Sequence, residues 1–135
     1  MKCVMIIDKE LPIGLIANTT AVLGLSLGGN TDGLIGPKVE NKDNYTHIGI
    51  TNIPIPILSS TKEQIKEIHN RLALENHNDI TIIDFNSLAQ KSKSYCDYVE
   101  KLNNTYLDDL NYLGICIYGP KKLINKISGN MSILK

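Results

Sequence analysis

The sequence predicts an α/β domain in which a central mixed, mostly parallel sheet of four strands is flanked by helices on both faces, a three-layer arrangement. Three observations carry that expectation. Short apolar runs of strand length alternate along the chain with longer segments whose apolar residues recur every three or four positions. The length, 135 residues, sits in the range of one ordinary domain with one core. Hydrophobic residues make up 42% and charged residues 21%, so no stretch is poor enough in apolar side chains to stay unfolded, and a single domain is expected over residues 1–135.

Val4 to Ile7 is a continuous apolar run closed by Asp8-Lys9-Glu10, which suits a central strand buried on both faces. Pro12 then stands at the entrance of a helix from Ile13 to Leu27 that is apolar on nearly every side, and Gly28-Gly29-Asn30 stops it. A helix of that kind is usually sandwiched, here between the sheet and a second subunit, so a homodimer is expected. Asn30 to Asn44 is a long aperiodic loop of the sort that covers a site. Thr46 to Ile50 reads as a second strand, and Ile53 to Ile57, with prolines at every other position, reads as an edge strand or a wrapped segment.

Ser60-x-x-Glu63 has the form of a capping box, and Ile65, Ile68 and Leu72 recur at helical spacing, predicting an amphipathic helix to about Asn76. Asp79 to Asp84 is a strand, and Ser87 opens a third helix in which Leu88, Ser92, Tyr95, Val99 and Leu102 keep the rhythm. After a turn from Asn103 to Asp109, Tyr112 to Tyr118 is a buried strand. Gly119-Pro120 opens a last helix carrying Leu123, Ile124 and Ile127, and Met131 to Leu134 forms a short final strand.

Composition narrows the function classes. With 14 basic and 14 acidic residues the chain is neutral, so no global field draws it to nucleic acid or to an anionic membrane. No continuous apolar segment reaches the roughly 18 residues of a membrane span, and Met1 to Lys9 lacks the order of charged, apolar and small residues that marks a secretory signal. Cys3, Cys96 and Cys116 are odd in number and far apart, which reads as reduced thiols in a cytoplasmic protein. His47, His69 and His77 show no ligand spacing and read as solvated side chains, so neither a metal nor a cofactor is expected.

Gly24-x-Ser26-x-Gly28 matches the nucleophile elbow of α/β-hydrolases letter for letter, but that elbow needs a strand-to-helix turn, and here it falls near a helix end. Asn18 and Thr19 are polar in an otherwise apolar helix. Asn18 either ties down the first strand near Asp8 or faces a pocket, where its amide would hold a ligand. Tyr118-Gly119-Pro120-Lys121-Lys122 joins a strand end, a turn and a helix N-terminus to two ammonium groups, a setting that favours an anion, although capping with solvated lysines accounts for it as well. Asp8 and Glu10 beside the first helix serve either as acid and base or as partners of its dipole. Tyr95, Tyr98, Tyr106, Tyr112 and Tyr118 cluster in the second half with Gln90 nearby, and either line a pocket from the third helix or sit half-buried in the core; Tyr118 ends a strand where ligands approach in α/β sheets.

The segments Lys2 to Asn18 and Leu113 to Gly129, with Asn130 to Leu134, resemble the opening and closing elements of peptidyl-tRNA hydrolase II. Leu11 to Asn18, Ile53 to Leu58 and Tyr118 to Pro120 resemble more closely a domain family of unknown function, DUF2000, that shares this fold. The resemblance implies a peptidyl-tRNA hydrolase II-like fold and a homodimer. The enzymes carry a lysine, a glutamine and a histidine along the first helix, where this chain has Leu15, Thr19 and Val22, and an apolar side chain cannot accept a proton. The expectation is therefore a small-ligand or partner-binding protein contacted through Asp8, Asn18, Thr19, Tyr118, Gly119 and Lys121. The alternative is a hydrolase of an ester or amide in a tRNA- or nucleotide-linked substrate, with Asp8 as base and Asn18 holding the oxyanion.

Overall fold

A computed structural model describes residues 1–135. In chain order the elements are β1 (Lys2–Asp8), α1 (Ile13–Asn30), β2 (Val39–Glu40), β3 (Thr46–His47), β4 (Ile57–Ser60), α2 (Lys62–Glu75), β5 (Thr81–Asn86), α3 (Ser87–Lys91), α4 (Tyr95–Asn103), β6 (Tyr112–Gly119) and α5 (Lys121–Ser128). Four strands form the main sheet in the order β4-β1-β6-β5, and β2 and β3 pair only with each other.

The sheet is mixed, with one parallel pair. β1 runs parallel to β4, whereas β6 is antiparallel to both of its neighbours. The expectation of a mostly parallel sheet fails because the third helix of the sequence reading is two short ones. Asn86 caps α3 and Ser94 caps α4, and a break at Ser92–Ser94 separates them. Neither is long enough to return the chain along the sheet, so β6 enters from the end where β5 leaves and slots between β5 and β1.

Strand alternation splits the core in two. Val4 and Ile6 of β1 pack with Ile65, Ile68 and Leu72 of α2 and Ile124 of α5 on one face. Cys3, Met5 and Ile7 pack with Leu23 and Leu27 of α1 on the other. Gly114 lets α1 approach closely, since a Cβ there would lie 2.6 Å from Ile7 Cδ1 and 2.9 Å from Thr19 Cγ2. All three cysteines are free, and Cys3 and Cys116 face each other in the α1-side core with their Sγ atoms 3.5 Å apart.

Several local expectations shift. The cap of α2 is Thr61, which accepts from Gln64 N, while Ser60 ends β4. The segment Ile53–Pro56 wraps the α1-side core and leads into β4, the true edge strand. Residues at the carboxyl end close that edge. Ser59 N donates to Ser132 O and Leu134 N to Ile57 O, each at 2.9 Å, so the last segment contributes one β-bridge rather than a strand. Thr46–Ile50 stands apart from the main sheet. It forms one side of a hairpin arm running from Leu34 to Asn52, whose two sides cross so tightly at Gly36 and Gly49 that a Cβ on Gly49 would collide with the Gly36 carbonyl oxygen.

Candidate functional site

The open edge of the sheet is β5. Ile83 and Phe85 point to the α1 side, and Ile82 to the α2 side. Asp84, two residues on from Ile82, meets His69 of α2, whose Nε2 lies 3.1 Å from Asp84 Oδ2. The second carboxylate oxygen accepts from Asn86 Nδ2 at 3.2 Å, and that same amide nitrogen reaches toward the Tyr98 hydroxyl at 3.5 Å. Asn86 Oδ1 accepts from Ala89 N and so starts α3. One side chain thus fixes both the carboxylate and the helix.

A β-bulge completes the cluster. Phe85 pairs with Gly114 but Asn86 pairs with Tyr112, so Leu113 is an extra residue in β6. Without it, alternation from Ile117 and Ile115 would send Tyr112 to the α1 side. With it, Tyr112 stacks on His69, ring centroids 4.3 Å apart. Its hydroxyl is buried and has no hydrogen-bond partner. Burial, followed by the nearby charge of Asp84 and by Tyr98, pushes the Tyr112 phenol pKa upward, so it remains a neutral donor.

His69 is 6% exposed. Burial works to lower its pKa, but hydrogen bonds to Asp84 and to Asn70 Oδ1, with the Asp84 charge, outweigh burial and raise it. Asp84 therefore favours the protonated form of His69 across their 3.1 Å contact.

Outside this pair a cleft of about 430 Å³ runs along β5. Val22 and Ser26 of α1 form one wall, Ile83, Asp84 and Phe85 the floor, and the α3–α4 joint with Tyr95 and Tyr98 the other wall. The Asp84 side chain, 27% exposed, is one of the cleft's lining groups. The two tyrosine rings meet edge to face at 5.7 Å, and Lys93 stands at the joint between the helices. Apolar and aromatic side chains interleaved with Ser26, Asp84, Ser92, Lys93 and Ser94, in a volume of this size, are the makings of a small-molecule site.

The residues singled out in the sequence lie elsewhere and apart. Asp8 is buried at the carboxyl end of β1, where Oδ1 accepts from Glu10 N at 3.0 Å. By alternation it belongs to the α2 side, whereas Asn18 is exposed on the outer side of α1. Thr19, expected to touch a ligand, is fully buried. Its hydroxyl donates to Leu15 O at 2.7 Å, and it is a packing residue against Gly114. Tyr118 and Gly119 pair with Cys3 and Lys2, at the other end of the seven-residue β1, roughly 20 Å from Asp8. Gly119 lies against the backbone of Asp79 and Ile80, and Lys121 is exposed beside a small pocket with Lys2 and Pro54.

Sequence reasoning missed His69, Asp84 and Asn86; of the tyrosines that it offered as pocket lining, Tyr95 and Tyr98 do line the cleft, while Tyr112 is buried against His69. His69, read as solvated, sits on the buried stripe Ile65, Ile68, Leu72, and that spacing was the available signal. The bulge that aims Tyr112 leaves no trace in a single sequence.

The fold matches a solved structure, that of the protein of unknown function Atu0240 from Agrobacterium tumefaciens strain C58. The match has a TM-score of 0.85 and 17% identity, and covers 98% of this chain and 96% of that one. No protein of curated function matches significantly. The family model described as "Protein of unknown function (DUF2000)" matches residues 1–135, and the chain belongs to that family.

Proposed function

We propose that this chain is a cytoplasmic small-ligand-binding protein on a peptidyl-tRNA hydrolase II-like scaffold, and that its ligand occupies the cleft along β5. The observation that carries this reading is the network His69–Asp84–Asn86–Tyr98, in which Asp84 and Tyr98 line a cleft of mixed apolar and polar walls while the buried His69 and Asn86 hold Asp84 from outside it. The partly exposed Asp84 carboxylate keeps spare lone pairs for an N–H donor beyond its contacts with His69 and Asn86. Tyr95, Tyr98 and Phe85 suit a flat ring, and Lys93 an anionic substituent. A planar heterocycle or aromatic ring bearing an N–H group fits best. The separation of Asp8 from Asn18 supports binding over hydrolysis by that pair.

Adenosine and tryptophan are the probes, followed by nuclear magnetic resonance on the uniformly labelled protein. One of them at millimolar concentration is expected to shift the resonances of Phe85, Ala89 and Tyr98, with the shift lost in Asp84→Asn. Tyr112→Phe should leave the melting temperature unchanged or raised, because no intramolecular hydrogen bond is lost. If neither probe moves these resonances, the cleft is not a site for this class of ligand.

A further inference from the structure

The arm between Leu34 and Asn52 carries its own question, since it does not fold back onto the core. Residues 37–48 are all exposed, among them Val39, Tyr45 and Ile48, with Ile50 just beyond. Its ladder amounts to two paired residues on each side near the tip and the single bridge Ile35–Thr51 at the base, and an isolated two-stranded hairpin is marginal in water. Yet the arm is built for one shape. Asn44 takes a left-handed turn conformation, Asn41 holds the tip by accepting from Tyr45 N, and the crossing of Gly36 over Gly49 has no room for a side chain.

The second unpartnered surface is the outer side of α1. The helix has no charged residue in its 18 positions, and Ile13 and Leu25 are 86% and 81% exposed. Between them lie only Gly14, Ala17, Asn18 and Ala21, small side chains along which an extended segment can be laid. Both surfaces belong to one side of the molecule, because Leu34 and Ile53, at the two ends of the arm, pack in the α1-side core.

We propose that the chain forms a two-fold homodimer in which the arm of each protomer lies along the outer side of α1 of the other. Lengths agree. The stretch from the Gly36–Gly49 crossing to Asn41, where the tip turn begins, is about 17 Å of extended chain, against roughly 27 Å of helix. Area agrees as well. The exposed large apolar side chains of the arm and of α1, at roughly 130 Å² apiece, offer on the order of 900 Å² per protomer, against ~800 Å² per partner in an ordinary stable interface. A second copy is the fitting occupant because each protomer presents both halves, so two arm-to-helix contacts close on themselves and leave neither surface over. Charge agrees too. Lys38, Glu40, Lys42 and Asp43 cluster toward the arm tip and would sit at the rim past the charge-free helix, where they need no partner.

Sedimentation equilibrium of the full chain tests this. The wild type is expected at twice the monomer mass of 14.9 kDa. Leu25→Glu, which alters only the helix, and the double variant Ile48→Glu/Ile50→Glu, which alters only the arm, should each be monomeric with unchanged circular dichroism. An equimolar mixture of the two should recover dimer, because one arm-to-helix contact is then intact. A monomeric wild type at about 100 μM, far above the dissociation constant of a standard interface, would overturn the proposal. So would a dimer that survives the arm variant, or a mixture that stays monomeric.

Discussion

His69 stands in the middle of an apolar stripe, and its charge rests on two oxygens, Asp84 Oδ2 and Asn70 Oδ1. Its folded pKa lies above the ordinary 6.5, so the folded state holds the proton more tightly than the unfolded chain. The stabilisation from this site is therefore fully present below about pH 6.5 and is lost as pH rises through the higher folded value. Thermal melts from about pH 5.5 to about pH 8.5 should show a falling melting temperature across the upper part of that range. His69→Gln should be less stable at the acid end and should flatten the slope. An unchanged slope in the variant would place the titration elsewhere. Residue-level reading of the sequence went wrong here because a histidine carries no mark of burial. Only its spacing relative to Ile65, Ile68 and Leu72 does, and a polar residue at such a position makes sense once Asp84 is known to face it.

The long periodic elements were legible. Helix α1, helix α2, β1 and β6 fall where apolar spacing puts them, because each buries a continuous stripe or both of its faces, although α1 runs on through Gly28, Gly29 and Asn30, the residues expected to stop it. Short elements were not, since a break such as Ser92–Ser94 preserves the three-and-four rhythm on either side while turning the axis. The bulge at Leu113 was equally silent, although it decides which face Tyr112 enters. Its neighbour Gly114 is the contact point of α1 on the sheet, where a methyl group would press on Ile7 Cδ1, Thr19 Cγ2 and the Ile6 carbonyl. Gly114→Ala should cost about 1–3 kcal/mol by chemical denaturation, the usual range for overpacking a close-fitted interior. A loss below about 0.5 kcal/mol would mean that α1 slides outward freely.

At the scale of the molecule, the four-stranded sheet and its two helical layers were predictable, while strand direction was not, because direction depends on whether a connection spans the sheet. The two edges of that sheet are treated differently. Residues 132–134 seal β4, and β5 is flanked by the cleft. Truncation after Met131 would strip the hydrogen bonds from Ser59 and Ile57 and leave a free edge, so the shortened chain should scatter light on mild heating while the full chain stays clear. The order β4-β1-β6-β5 also has a bearing on synthesis. β1 pairs through Lys2 with Gly119, so the first strand made waits for the last before its antiparallel side is covered. A ribosome adding roughly 5–20 residues per second would keep that apolar strand half-paired for several seconds, time in which it is a target for chaperones.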